Sequence, residues 1–409
     1  MHRVVVTGMG GITALGQRWP DIELALRAGR NAVRHMPEWD HYDALHTRLG
    51  APVEDFQMPA QFPRKRTRAM GRVSQMAVCA TQAALEDAGL LQHPVLQDGR
   101  TGIAYGSSAG SVAPVRVFGR MLESGAMTGV TSTSYIQMMA HTAAVNIGLC
   151  YGIKGRIIPT SSACTSGSQG IGFGYEAIRF GRQTVMVAGG AEELSGLGAA
   201  VFDTLFATST RNHTPETTPR PFDRDRDGLV VGEGAATLVL EEREHALARG
   251  AHIHGEIVGF GNNSDGSHVT QPEACTMAVA MRLALADAGL PPEAIGYISA
   301  HGTATDRGDV AEAQATAEVL PHHPPISSMK SYLGHTLGAC GAIEAWWALE
   351  MAKVGWFAPT LNLTQPDEAC ARLDHIMQKG RPIRPTYLMS NNFAFGGINT
   401  SLIFKTNTR

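Results

Sequence analysis

Three residues of this 409-residue chain stand where their chemistry could be used: Cys164, His301 and His335. Cys164 lies in Ser161-Ser162-Ala163-Cys164-Thr165-Ser166-Gly167, between a strand-like run (Arg156–Pro159) and a small-residue stretch, 168–181, of helical character. A cysteine at a helix N-terminus meets unpaired N–H groups and partial positive charge, which favour thiolate over thiol. The same amides can hold a carbonyl oxygen that is becoming negative. A buried, inert thiol is the usual fate of cysteine and fits the local residues equally well. His301, in Ala300-His301-Gly302-Thr303-Ala304-Thr305, follows the run Gly296–Ser299. That places it at the C-terminal end of a strand, where α/β active sites collect. His335 stands in Gly334-His335-Thr336-Leu337-Gly338, between glycines that would let a substrate approach the backbone closely. In a chain with 16 histidines, either alone reads as structural or exposed; two in glycine-flanked elbows read as a site. Two other motifs read as turns. Gly106-Ser107-Ser108-Ala109-Gly110 matches G-x-S-x-G of serine hydrolases, but the pattern is short in a chain rich in Gly and Ser, so Ser108 is assigned no catalysis. Gly8-Met9-Gly10-Gly11-Ile12-Thr13 approaches a dinucleotide fingerprint, yet Thr13 stands where the third glycine belongs.

The elements that must carry these residues alternate in type. Short apolar runs end in Gly/Ser/Thr clusters and give way to Ala-rich helical stretches, as at 101–110, 184–193 and 296–305. Such alternation predicts an α/β protein with buried sheets. The two halves echo each other. Val4–Gly10 resembles Glu256–Gly261, 157–178 resembles 325–346, and 185–193 pairs loosely with 387–397, in the same order. A duplicated core is expected, with halves at 1–250 and 251–409 and chemistry where they meet. Only 17% of residues are charged, against about 25% in an average globular protein, so much of the chain must be hidden in a core or an oligomer interface. A net charge of −3 excludes a general nucleic-acid binder. No apolar run reaches the ~18 residues of a membrane span and no export signal is visible, so the chain reads as cytoplasmic. Its six cysteines lack CxxC or zinc-like spacing, and neither a metal nor a disulfide framework is expected.

Taken together, Cys164 in S-A-C-T-S-G, His301 in H-G-T-x-T-x-x-G-D, Lys330 in K-S and His335 in G-H-x-x-G-A resemble the β-ketoacyl-acyl-carrier-protein synthases, in particular the elongating Cys-His-His type. The closing Ser390–Asn399 segment resembles that family's gating loop, and Pro221-Phe222-Asp223 and Arg226-Asp227-Gly228 extend the similarity. The resemblance implies a thiolase-like five-layered α/β/α/β/α fold. It implies a decarboxylative Claisen condensation, in which an acyl group parked on Cys164 meets malonyl-acyl-carrier protein. Cys164 and Phe395 would supply oxyanion-hole amides, and His301 and His335 would stabilise the enolate. Lys330 and Glu344 would form a supporting buried ion pair. Thr303 and Thr305 would hydrogen-bond the pantetheine arm, their spacing of two placing both hydroxyls on one side of an extended segment. Phe393, Phe202 and Ala109 would line the substrate path. No cofactor of its own is implied, the phosphopantetheine arm being carried by the acyl carrier protein.

That carrier is acidic in the family, and Arg64-Lys65-Arg66-x-Arg68, the only dense basic cluster, falls where carrier contacts are placed; a plain solvated face is the alternative. The family is dimeric, so a homodimer is expected, or a heterodimer with a related subunit lacking the cysteine, as in polyketide chain-length factors. A non-catalytic scaffold subunit and a thioesterase are the competing readings. The intact triad opposes the first, and the second histidine in G-H-x-x-G the other. Leu229, Ala394, Ile398 and Ala109 depart from the housekeeping pattern and look like ketosynthases of specialised polyene pathways, aryl polyenes in particular.

Overall fold

The computed structural model describes residues 1–407; Thr408 and Arg409, the end of the expected second half, lie outside the described residues. Ten strands form one continuous sheet: β1 (Val4–Thr13), β2 (Thr101–Gly106), β3 (Ile157–Thr160), β4 (Val185–Glu192), β5 (Gly234–Glu242), β6 (Gly255–Ser264), β7 (Ile295–Ser299), β8 (Ile326–Ser327), β9 (Tyr387–Ala394) and β10 (Ile398–Thr406). Their spatial order is β8-β7-β9-β10-β6-β1-β5-β4-β2-β3. Each five thus has the same order by chain position: third, second, fourth, fifth, first. The directions repeat too. β2 runs parallel to β3 and β4, as β7 does to β8 and β9, and the remaining pairings within each five are antiparallel. The fives join only where Val4–Val6 of β1 face Gly255–Ile257 of β6. The echoing segments fall on topologically equivalent strands: β1 with β6, β3 with β8, β4 with β9.

Six helices make the layers: α1 (Arg72–Asp87), α2 (Thr142–Tyr151), α3 (Ser166–Arg179), α4 (Ala274–Ala288), α5 (Asp306–Val319) and α6 (Cys340–Val354). α1 and α2 cover the outer face of the first five strands, and α4 with α5 the outer face of the second. α3 and α6 touch strands of both fives and form the middle layer. The arrangement is the thiolase-like α/β/α/β/α fold. α6 can sit there because it is buried on every side, Cys340–Ala352 without exception. Its Trp346 and Trp347 belong with Tyr175 of α3 to a core that spans both halves. This double-sided burial accounts for the low charged fraction.

The glycines of the apparent dinucleotide fingerprint have a packing role. A Cβ on Gly8 would lie 2.2 Å from the Ala84 carbonyl oxygen of α1, and one on Gly10 would lie 2.6 Å from the Ala84 nitrogen. Gly259 and Gly261 stand in the same relation to Ala284 and Ala280 of α4. Helix and strand backbones approach closely at both places, leaving no room for a pyrophosphate.

Candidate active site

Cys164 sits in a short 3-10 turn (Ala163–Thr165) between β3 and α3, one turn ahead of the helix proper. Ala163 takes φ +50°, an uncommon backbone for a residue with a Cβ, which sharpens the elbow. His335 Nε2 lies 3.0 Å from Cys164 Sγ. His335 is held from two sides: its backbone N–H donates to the Val230 carbonyl at 2.6 Å, and its carbonyl accepts from the Gly232 N–H at 2.9 Å. Its Nδ1 accepts the Leu337 N–H at 3.2 Å, which fixes the neutral tautomer with the proton on Nε2. His301, beyond the end of β7, meets His335 edge-on with ring centroids 5.2 Å apart. Its Nδ1 accepts from Lys330 Nζ at 3.1 Å, so its proton also sits on Nε2. Lys330 Nζ is bonded to Glu344 Oε1 at 2.5 Å, and both side chains are buried.

The flanking glycines work differently from the expectation of a close substrate approach. Gly334 has φ +66°, and a Cβ there would sit 2.5 Å from the Val230 carbonyl oxygen; a Cβ on Gly338 would meet Glu192 Oε2 at 2.7 Å. They let the protein's own backbone and side chains close around His335.

Electrostatics set the resting state. Burial pushes the Cys164 thiol up to about 11, outweighing the pull of the Lys330 ammonium and the Phe395 and Cys164 amides. The expected thiolate is therefore not the resting form: complete burial of the sulfur overrides the helix terminus. Burial, with the Lys330 charge, also holds both imidazoles well below the usual histidine value. Both rings are neutral at physiological pH, each with an N–H at Nε2.

Sγ and the ring nitrogens of Cys164, His301 and His335 lie within 4.8 Å of one another, as do ligand atoms of His301, Cys340 and Glu344. The donors on Nδ1 of both histidines argue against a metal here. A metal-bound Nε2 requires a proton on Nδ1, and those positions face an N–H and an ammonium.

The triad opens onto a cleft of about 540 Å³, lined by Phe202, Thr303, Thr305, Phe393 and Phe395 as well as Leu229. Thr303 and Thr305 hydroxyls are 2.9 Å apart, so both do lie on one side of their segment. Phe202 and Phe395 pack ring to ring at 5.0 Å. Ala109 stands apart: it is exposed and is not part of the cleft wall, because the chain turns outward after β2. Ser108 donates its backbone N–H to Glu192 Oε2 at 2.7 Å, in a turn. Arg64, Lys65, Arg66 and Arg68 are all exposed, in and just after a short helix (Arg64–Thr67).

Several residues had no assigned role in the sequence reading. Asn392 donates to Glu344 Oε2 at 2.7 Å and lies 3.4 Å from His301 Nδ1, extending the Lys330–Glu344 pair. Glu312 on α5 accepts the His301 and Gly302 amides, both at 2.7 Å. Asp309 accepts those of Thr303 and Ala304 at 3.0 and 3.1 Å. Arg226 donates to the Thr305 carbonyl at 3.2 Å and to Asp367 at 2.5 Å, closing the loop from beneath. The available signal was an acidic residue inside an otherwise Ala-rich helix, at 309 and 312.

Cysteine and two neutral imidazoles meeting between two like-ordered five-stranded units define a condensing enzyme of the thiolase-like class. Family models for the beta-ketoacyl synthase N-terminal domain (residues 1–246) and C-terminal domain (254–364) match, and the chain belongs to the beta-ketoacyl synthase family. It is 38% identical to 3-oxoacyl-[acyl-carrier-protein] synthase 2 of Vibrio cholerae over 415 residues, covering 99% of both chains. It is 35% identical to synthase 1 of Escherichia coli K12, again over 99% of each. A crystal structure of a beta-ketoacyl synthase from Burkholderia phymatum superposes with a TM-score of 0.99 at 67% identity, over 100% of both chains. The ishigamide ketosynthase/chain length factor gives 0.91 at 31%, also over 100% of both chains.

Proposed function

We propose that this chain catalyses decarboxylative condensation of an acyl group on Cys164 with malonyl-acyl-carrier protein, giving a β-ketoacyl thioester. The observation that carries the reading is the pair of imidazoles forced into the Nε2–H form beside Cys164 Sγ. In acyl transfer, Cys164 takes the acyl group and gives up its thiol proton, and the departing pantetheine sulfur takes one, so the step is proton-neutral. The carbonyl oxygen meets the amides of Cys164 and Phe395, both of which already favour negative charge at Sγ. Malonyl thioester then loses CO₂, and its enolate oxygen accepts from the Nε2–H groups of His301 and His335. The enolate carbon attacks the acyl carbonyl; collapse expels the Cys164 thiolate, which takes up a proton. Lys330 carries a permanent donor to His301 Nδ1 and so keeps that ring's proton on the reacting side.

The carrier protein is the partner whose surface we assign to Arg64, Lys65, Arg66 and Arg68. None of these makes an ion pair among the described residues, and charge complementarity would raise the encounter rate. One ketosynthase of similar fold, 28% identical, is titled as a complex with its acyl-carrier protein, which supports this partner. A second ketosynthase-type chain is the other. β3 is an edge strand carrying an exposed Ile157, and Tyr135 and Leu149 add exposed apolar surface. Ala109 would reach an acyl pocket only with such a chain laid across it. The repeated strand order supports halves 1–250 and 251–409 as copies of one unit. Leu229, where the family typically carries an aromatic near the malonyl carboxylate, lines the cleft, and with Ala394, Ile398 and Ala109 it supports a specialised acyl substrate of aryl polyene type. No helix among the described residues is long and apolar enough to cross a membrane.

The test is intact mass after incubation with acyl- and malonyl-carrier proteins. Acyl mass on the enzyme followed by ketoacyl mass on the carrier is expected. Loss of acyl mass as free acid, with no ketoacyl product, would make the chain a thioesterase instead.

A further inference from the structure

Glu192 ends β4 buried, and it forms no salt bridge among the described residues. Its carboxylate is nevertheless fully occupied. Oε2 accepts the Ser108 N–H at 2.7 Å and the Gly338 N–H at 3.0 Å, and Oε1 accepts the Ser107 hydroxyl at 3.0 Å. Ser107 Oγ itself accepts the Gly110 N–H at 3.0 Å, so its proton points to the carboxylate. Burial raises the Glu192 carboxyl above its usual value, while all three contacts come from groups able to donate to it.

These three bonds join the two segments that carry the reacting pair. Gly338 is three residues beyond His335, in the turn whose Leu337 N–H fixes that ring's tautomer. Ser107 and Ser108 lie against the cysteine elbow: Ser161 Oγ donates to the Ser107 carbonyl at 3.1 Å. A Cβ on Gly338 would fall 2.7 Å from both Glu192 Oε2 and the Ser108 nitrogen, which shows how closely the three strands of chain converge.

We infer that Glu192 is a positioning residue for the condensation: its buried carboxyl group ties the Ser107–Ser108 turn to the His335 turn and so sets the Cys164–His335 spacing. This rests on the reading of Cys164 as nucleophile.

Two variants test the reach of the strap. Glu192→Asp keeps the carboxyl group and shortens the strap by one methylene. Acyl transfer from a small pantetheine thioester should fall about tenfold or more at little-changed KM, since small misplacements of reacting groups are costly. Glu192→Gln keeps the length and an accepting oxygen, so its transfer should fall less than that of the Asp variant. Melting temperatures are measured alongside. Wild-type transfer in Glu192→Asp, a greater loss in Glu192→Gln, or a transfer loss that merely follows the melting temperature overturns the positioning role. Acyl loading of a Cys164→Ala control is the separate check on the nucleophile itself.

Discussion

At the residue scale the proposed reaction divides its labour between sulfur and imidazole. Cys164→Ala should lose acyl loading entirely, while malonyl decarboxylation persists because both Nε2–H donors remain in place. His301→Ala and His335→Ala should load normally and lose condensation by about 10²-fold or more, the size of a missing electrostatic or acid–base group. Intact mass and product formation on each variant read the two activities separately; loading at full level in Cys164→Ala would remove the nucleophile assignment. The neutral rings also make a pH prediction. Both imidazoles are held well below 6.5 by burial and by Lys330. Condensation by pre-acylated enzyme should therefore show no histidine titration as pH falls through 6.5. Stability behaves oppositely: the unfolded chain binds protons at these histidines that the folded chain refuses, so folding weakens below the unfolded value. The contribution is present above about pH 6.5 and lost progressively below it. Melting temperatures of wild type and His335→Asn across that range measure it, and the variant should be the less acid-sensitive of the two.

At the scale of elements, the histidine is only as well placed as the turn that carries it. Gly334 has φ +66° and ψ −169°, a region that residues with a Cβ avoid, and it abuts the Val230 carbonyl. Gly334→Ala should cost about 1–3 kcal/mol from the backbone alone, with the collision added. Because the displaced residue is His335, condensation should fall before acyl loading does. A melting curve with both activities decides this, and equal loss of the two would place the damage at the elbow instead. The loop from His301 to Thr305 is braced differently, by Glu312 and Asp309 of α5 on its amides. The His335 turn is thus held by close backbone approach together with Glu192, the His301 loop by Glu312 and Asp309.

Over the whole molecule, the dense basic cluster lies outside and the apolar mass inside. Reversing Arg64, Lys65, Arg66 and Arg68 together should raise the apparent KM for carrier-bound acyl groups and leave a small pantetheine thioester unaffected. Exposed pairs are individually worth only about 0.2–1 kcal/mol, so the cluster is changed as a unit. The effect should shrink as ionic strength rises. Equal loss on both substrates would indicate misfolding or docking elsewhere. The sheet has one long free edge at β3, where exposed Ile157 marks the apolar surface that a second chain would cover. Sedimentation of wild type and Ile157→Asp tests this, with dissociation expected in the variant.

The order of elements, the three residues that meet at the head of the cleft and the internal echo were legible in the sequence because each is a local pattern. A strand's apolar run, a glycine-flanked histidine and a cysteine at the head of a helix all keep their spacing whatever the chain does elsewhere. The protonation state of Cys164 was not legible. A helix terminus is a local feature, but burial depends on layers contributed by both halves of the chain, and burial is the larger effect. The same holds for Glu192, Glu312 and Asn392. The partners named lie from 10 to 146 residues away in the chain, and only packing brings each pair within 3.0 Å. Ala109 illustrates the converse: family resemblance placed it beside the acyl pocket, and the turn after β2 carries it to the surface of this chain. Sequence set which chemistry was available; the closing of two five-stranded units around one middle layer decided which protons it starts from.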